Sequence, residues 1–99
     1  MIHLQVPKES LATFCRQNHI RRLSFYGSVL RDDFRPESDI DVLVLFEPGY
    51  VVGLRIIEME QQLTAMFGGR KADIVNEKYL NPRLRNHIIA NAEVQYAEG

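Results

Sequence analysis

A lone cysteine, Cys15, cannot close an intramolecular disulfide, so no covalent staple holds this chain and a reducing compartment suits it. An excess of charge is also missing. Twelve basic residues stand against 13 acidic ones, for a formal net charge of −1. Nucleic-acid-binding proteins generally carry a basic face, so none is expected as a direct partner. Long apolar stretches are absent as well. The longest unbroken run, Val42 to Phe46, falls far short of the roughly 20 residues that cross a bilayer. The start, Met-Ile-His-Leu-Gln-Val-Pro, has neither the basic nor the apolar segment of a secretion signal. A cytoplasmic protein without membrane contact is the expectation. His3, His19 and Cys15 lack zinc-ligand spacing. There is no internal repeat, low-complexity tract or linker-like shift in composition, and 99 residues fit one domain spanning 1–99. Such a chain buries about 65% of its unfolded surface, enough for a modest core.

What is present is an alternation of helix and strand patterns. Pro7 suits the first turn of a helix that carries Leu11, Phe14 and Cys15 and stops near Asn18. Residues 22–26 read as a short strand ending at Gly27, and 28–33 as a helical turn or short helix. Residues 35–38 read as loop, because proline and its predecessor resist helix. The strongest strand is 39–46, with valine and leucine on both faces as in a central strand; Glu47-Pro48-Gly49 ends it. The longest helix is predicted over 50–67. Leu54, Ile57, Met59, Leu63, Met66 and Phe67 fall mostly at helical spacing, with Ile57, Leu63 and Phe67 in the core and Gly68-Gly69 as the stop. Residues 71–75 read as a third strand. Asn81-Pro82 opens a last helix with Leu84, Ile88 and Ile89, and the tail from Glu93 either adds an edge strand or frays. The fold class is α/β (α+β), a mixed sheet flanked by helices.

Chemistry concentrates in Gly27-Ser28, followed ten residues later by Asp39-x-Asp41. Strand alternation projects Asp39 and Asp41 from one side, at the edge of an apolar core. Charge there is costly unless paired or bound to metal, and two close carboxylates raise each other's pKa unless a cation lies between them. Magnesium suits the position, since it takes one or two carboxylates, waters and substrate phosphates. Asp73 lies in a different predicted strand. If that strand pairs beside the central one, three carboxylates could hold two ions about 3.5–4 Å apart, as in-line displacement requires. Gly27 permits a tight turn, the amides that follow favour an anion, and Ser28 offers a hydroxyl. Arg31 either reaches the phosphates or pairs with Asp32 or Asp33. Phosphoryl chemistry asks for little beyond such positioning and charge neutralisation.

The bland alternative for Asp39 and Asp41 is a carboxylate pair capping a turn. It makes Gly27-Ser28 and Asp73 coincidences, although the Gly-Ser-x10-Asp-x-Asp pattern arises by chance about once in a thousand chains of this length. Arg83, Arg85 and His87 read as the solvated face of the last helix, and Cys15 as a small buried residue.

The stretch from Tyr26 to Asp41, with Asp73, resembles the minimal nucleotidyltransferases (MNT) of the DNA polymerase β superfamily, antitoxin components of HEPN–MNT toxin–antitoxin pairs. The likeness in length and element order extends over nearly the whole chain. It implies a polymerase-β-like fold in which Asp39, Asp41 and Asp73 bind two Mg2+ ions. It also implies that Gly27 and Ser28, with Arg31 nearby, hold the triphosphate of ATP. AMP would pass to a hydroxyl, a tyrosine of a HEPN-domain RNase toxin, with release of pyrophosphate and formation of a hetero-oligomer. In that scheme Asp39 and Asp41 bind both metals, while Asp73 helps the second and orients or deprotonates the acceptor. The chain departs from the family at Asp32, where glycine is common. So small a chain leaves no room for domains that hold a template, so the acceptor comes from another molecule. The alternative within the resemblance is an inactive protein that neutralises its HEPN partner by binding alone.

Overall fold

The computed structural model describes residues 6–30 and 39–98. Helix α1 (Lys8–Gln17) begins after extended Pro7 and turns Leu11, Phe14 and Cys15 inward, the spacing of one helical face. Asn18 ends it, with its side-chain amide donating to the Phe14 carbonyl at 2.8 Å. His19, at φ 58, swings the chain into strand β1 (Ile20–Tyr26), which runs into a four-residue 3-10 turn, Gly27–Leu30. Strand β2 (Ile40–Phe46), helix α2 (Arg55–Met66) and strand β3 (Ala72–Asn76) follow. A second 3-10 turn, Glu77–Tyr79, leads to helix α3 (Pro82–Asn91) and strand β4 (Glu93–Ala97). The Asn81 side chain caps α3 by accepting from the Arg83 amide at 2.9 Å, with Pro82 in the first turn.

The sheet order is β3-β2-β1-β4. β1 pairs antiparallel with both β2 and β4, whereas β2 and β3 run parallel. The sheet is therefore mixed, with β2 inside it as its valine-rich sequence predicts. One face supplies the core. Leu23, Phe25, Ile40, Val42, Val44, Phe46, Ala72 and Ile74 cluster with Leu11, Phe14 and Cys15 of α1, Met59 and Leu63 of α2, and Phe67 just beyond it. Phe25 meets Phe67 edge-to-face with ring centroids 5.6 Å apart.

A parallel pair needs a long crossover, here α2, and that helix also shields the outer edge of β3. Thr64 Oγ1 accepts from the Ala72 amide at 3.0 Å, and Glu60 Oε2 from the Ile74 amide at 2.8 Å. Two side chains one helical turn apart thus satisfy alternate edge amides that would otherwise invite another strand. On the far side Arg22 grips buried Glu77, one nitrogen reaching both carboxylate oxygens at 2.8 and 2.9 Å. This pair ties β1 to the turn after β3, across β2.

Two expectations, the start of α2 and the place of Ile57, need adjustment. Helix α2 starts at Arg55 rather than Tyr50, because Gly49 and Gly53 take left-handed φ values of 81 and 54 that interrupt a helix. Ile57 is not core: it is 52% exposed. Met59, Leu63 and Phe67 follow one another at four-residue steps, and Ile57 lies about 200° around the helix from Met59. The predicted turn over 28–33 is described only to Leu30, as a 3-10 turn. The tail from Glu93 is an edge strand, and α3 before it buries no residue fully. Among the described residues no helix is long and apolar enough to cross a membrane.

The Glu77 carboxylate is 2% exposed and the Arg22 side chain 34%. Removing the guanidinium strands a buried charge, which costs about 3–5 kcal/mol when both partners are buried. Arg22→Ala should lower stability by about 3 kcal/mol, the low end of that range, because the arginine keeps some solvent. Urea unfolding at pH 7 measures it, and a loss under about 1 kcal/mol would reduce the pair to the worth of a surface contact.

Candidate active site

The register across three strands places the candidate residues. Tyr26 of β1 lies opposite Asp41 of β2, and Asp41 lies opposite Asp73 of β3. Directly paired residues share a face, so these three form a row on the side of the sheet away from the core. Asp39, just before β2, lies close enough to Asp73 to raise its carboxyl. The three aspartates picked from the sequence thus gather at the amino-terminal ends of two adjacent parallel strands.

Gly27 brings the turn to this row. Its φ of +77 is a left-handed value that side chains resist. A Cβ there would also come within 2.7 Å of Asp41 Oδ2. Only glycine lets the backbone lie this close to the carboxylate, so a turn suited to phosphate abuts a group suited to a cation. Ser28 follows in the same 3-10 turn. Arg31 and Asp32 lie outside the described residues.

The electrostatics are those of crowded negative charge. Burial, first, and then the hydrogen bond and charge of Asp39 push the Asp73 carboxyl above its ordinary range, with Glu60 adding to the effect and Lys71 opposing it. Lys71 Nζ is 3.7 Å from Asp73 Oδ1. Burial also raises the Tyr26 phenol, and the charges of Asp41 and Asp73 raise it further. A cation among these groups would reverse the repulsion. Among the described residues, no three acidic, imidazole or thiol groups are already drawn together as a metal cage. Their chemistry nonetheless fits magnesium, which keeps several waters and arrives with substrate phosphates rather than occupying an all-protein cage.

Sequence reasoning passed over two contributors. Tyr26 stood only at the end of the first strand and the start of the motif stretch, and Glu60 was given no role. Period-two alternation could have placed Tyr26 on the carboxylate face once the β1–β2 register was known. No sequence signal tells that Glu60 meets β3. Cys15 takes no part: burial pushes its thiol up to about 12, where it is neither a nucleophile nor a ligand.

The nucleotidyltransferase domain family matches residues 8–94, and the chain belongs to that family of nucleotidyl-transferring enzymes. It is 31% identical over 70 residues to the protein adenylyltransferase MntA of Thermococcus cleftensis, covering 71% of this chain and 69% of that one. A solved structure described as a minimal nucleotidyltransferase is 34% identical, with a TM-score of 0.71 and coverage of 86% of this chain and 85% of the other. More distant structures share the fold. A toxin–antitoxin complex with AMP-PNP gives a TM-score of 0.74 at 17% identity, over 93% of this chain and 74% of that one. A tri-AMPylated HEPN toxin bound to its MNT antitoxin, from Shewanella oneidensis, gives 0.64 at 16% identity, over 91% and 69%.

A carboxyl whose pKa rises on folding binds its proton more tightly in the folded state. Its contribution to stability is therefore fullest below the unfolded pKa and is lost as pH rises through the raised value. Asp73→Asn removes this penalty. In metal-free buffer its urea midpoint should exceed that of the unaltered chain at pH 7, and the two should converge near about pH 3, below the ordinary aspartate value. A lower midpoint at pH 7 would contradict the repulsion.

Proposed function

We propose that this chain, as a single minimal nucleotidyltransferase domain over 1–99, is a cytoplasmic, magnesium-dependent protein adenylyltransferase. It transfers AMP from ATP to a tyrosine hydroxyl of a HEPN-domain toxin and so acts as the antitoxin of that pair. The observation that carries the reading is the Asp41–Asp73 register, with Asp39 beside Asp73 and the Gly27 turn laid against Asp41. Support for the acceptor comes from the relatives, one a protein adenylyltransferase and one an MNT antitoxin bound to an AMPylated HEPN toxin.

Mg2+, when bound, would supply charge neutralisation for the triphosphate and the leaving pyrophosphate. Asp39, Asp41 and Asp73 would be the residues that hold it. Gly27 and Ser28 hold the triphosphate from the turn, with Arg31 as a further cation. Asp73 also orients the acceptor hydroxyl and takes up its proton. The acceptor oxygen bonds to the α-phosphorus, the bond from that phosphorus to the bridging oxygen breaks, and pyrophosphate leaves.

Incubation with the HEPN-domain partner, ATP and magnesium, followed by intact-mass analysis, tests the reading. The partner should gain one or more AMP units. The gain should vanish with Asp39→Asn plus Asp41→Asn, a variant expected to stay folded by circular dichroism because it removes repulsion from the site. A stable complex with no mass gain would instead show neutralisation by binding alone.

A further inference from the structure

A cavity of about 420 Å³ opens between the end of β1 and the last turns of α3, lined by Tyr26, Gly27, Leu30, His87, Ile88 and Asn91. It shares two walls with the site already described. Tyr26 is the register partner of Asp41, and Gly27 carries the turn laid against the Asp41 carboxylate. The cavity therefore begins where a triphosphate on that turn would end. Its volume lies within the roughly 300–1,000 Å³ of small-ligand sites.

The lining sorts into two kinds. Tyr26, Leu30 and Ile88 offer apolar surface for the faces of a flat ring. His87 and Asn91 offer hydrogen-bonding groups one helical turn apart. They are fixed relative to each other: Asn91 Nδ2 donates to the His87 carbonyl at 2.8 Å and lies 3.4 Å from His87 Nδ1. The wall they form is the carboxyl-terminal end of α3, where the helix dipole is negative. That end repels phosphate and accepts an uncharged ring with amino donors.

We infer that this cavity receives the nucleobase of the nucleotide whose triphosphate lies on the Gly27 turn, and that His87 and Asn91 read the polar edge of the base. The inference rests on the nucleotidyltransferase reading and adds to it a specificity element on α3. It also accounts for a helix that buries no residue fully. Ligand in the cavity supplies packing that the free protein lacks, so a base bound there fastens α3 to the sheet.

The test compares two probes, Mg·ATP and Mg·tripolyphosphate, by titration calorimetry on the unaltered chain and on the double variant His87→Ala plus Asn91→Ala. Both residues are exposed, so folding should survive, which circular dichroism checks. The variant should bind ATP about tenfold more weakly, the loss expected for one or two hydrogen bonds, and tripolyphosphate equally well. Amide exchange in α3 of the unaltered chain should slow with ATP and not with tripolyphosphate. Unchanged ATP affinity in the variant overturns the inference, as does an equal loss for both probes, which would place His87 and Asn91 on the phosphates. Failure of the unaltered chain to bind either probe overturns the nucleotidyltransferase reading itself, and the subsite with it.

Discussion

The parallel pairing of β2 with β3 is the constraint on which the rest of this small protein depends. Parallel strands cannot be joined by a tight turn, so the chain must leave the sheet, cross over and return. Helix α2 makes that crossing, and it performs three tasks at once. Met59 and Leu63 close one side of the core. Glu60 and Thr64 satisfy the amides on the outer edge of β3. The return sets β3 in the register that puts Asp73 beside Asp41. A slip of one residue would turn Asp73 into the core and Ala72 or Ile74 out of it, so the burial of those two neighbours holds the carboxylate in place.

Binding chemistry and core packing are thus two faces of the same strands. Val42 and Val44 are fully buried on one side, while Asp41 between Ile40 and Val42 stands on the other. The apolar face makes the sheet rigid, and rigid strands fix the spacing of the carboxylates without a loop to position them. Burial first, and then the neighbouring Asp39, hold the Asp73 carboxyl above its ordinary range. A cation at this row would reverse the effect of the charge, and the Gly27 turn lies against Asp41.

Stability is unevenly spread around this site. The core cluster draws on β1, β2, β3, α1 and α2, and the Arg22–Glu77 pair braces the opposite face. Helix α3, by contrast, leaves Leu84 half exposed and no side chain fully buried. Elements with few buried contacts open at lower free-energy cost than the core. A cavity between such a helix and the Gly27 turn can therefore adapt to an occupant while the carboxylates stay fixed.

Much of this was legible in the residues themselves. Valine and leucine on both faces marked β2, Asn81-Pro82 marked the start of α3, and the Gly27-Ser28 spacing to Asp39 and Asp41 marked the candidate site, because each signal is local. Local signals failed where geometry depends on a neighbour. Helical spacing put Ile57 in the core, yet spacing gives only relative angles, and the packing of α2 on the sheet chose which stripe faced inward. The start of α2 moved because Gly49 and Gly53 adopt left-handed φ, which composition permits without requiring. The sequence by itself determined which residues are candidates for a cation and a phosphate, since that follows from side-chain type and strand period. Only the tertiary structure decided that Asp73 joins Asp41, that Tyr26 borders both, and that His87 and Asn91 line the cavity beside them. Those partners are brought together by strand register and helix placement, which depend on burial summed over the whole chain.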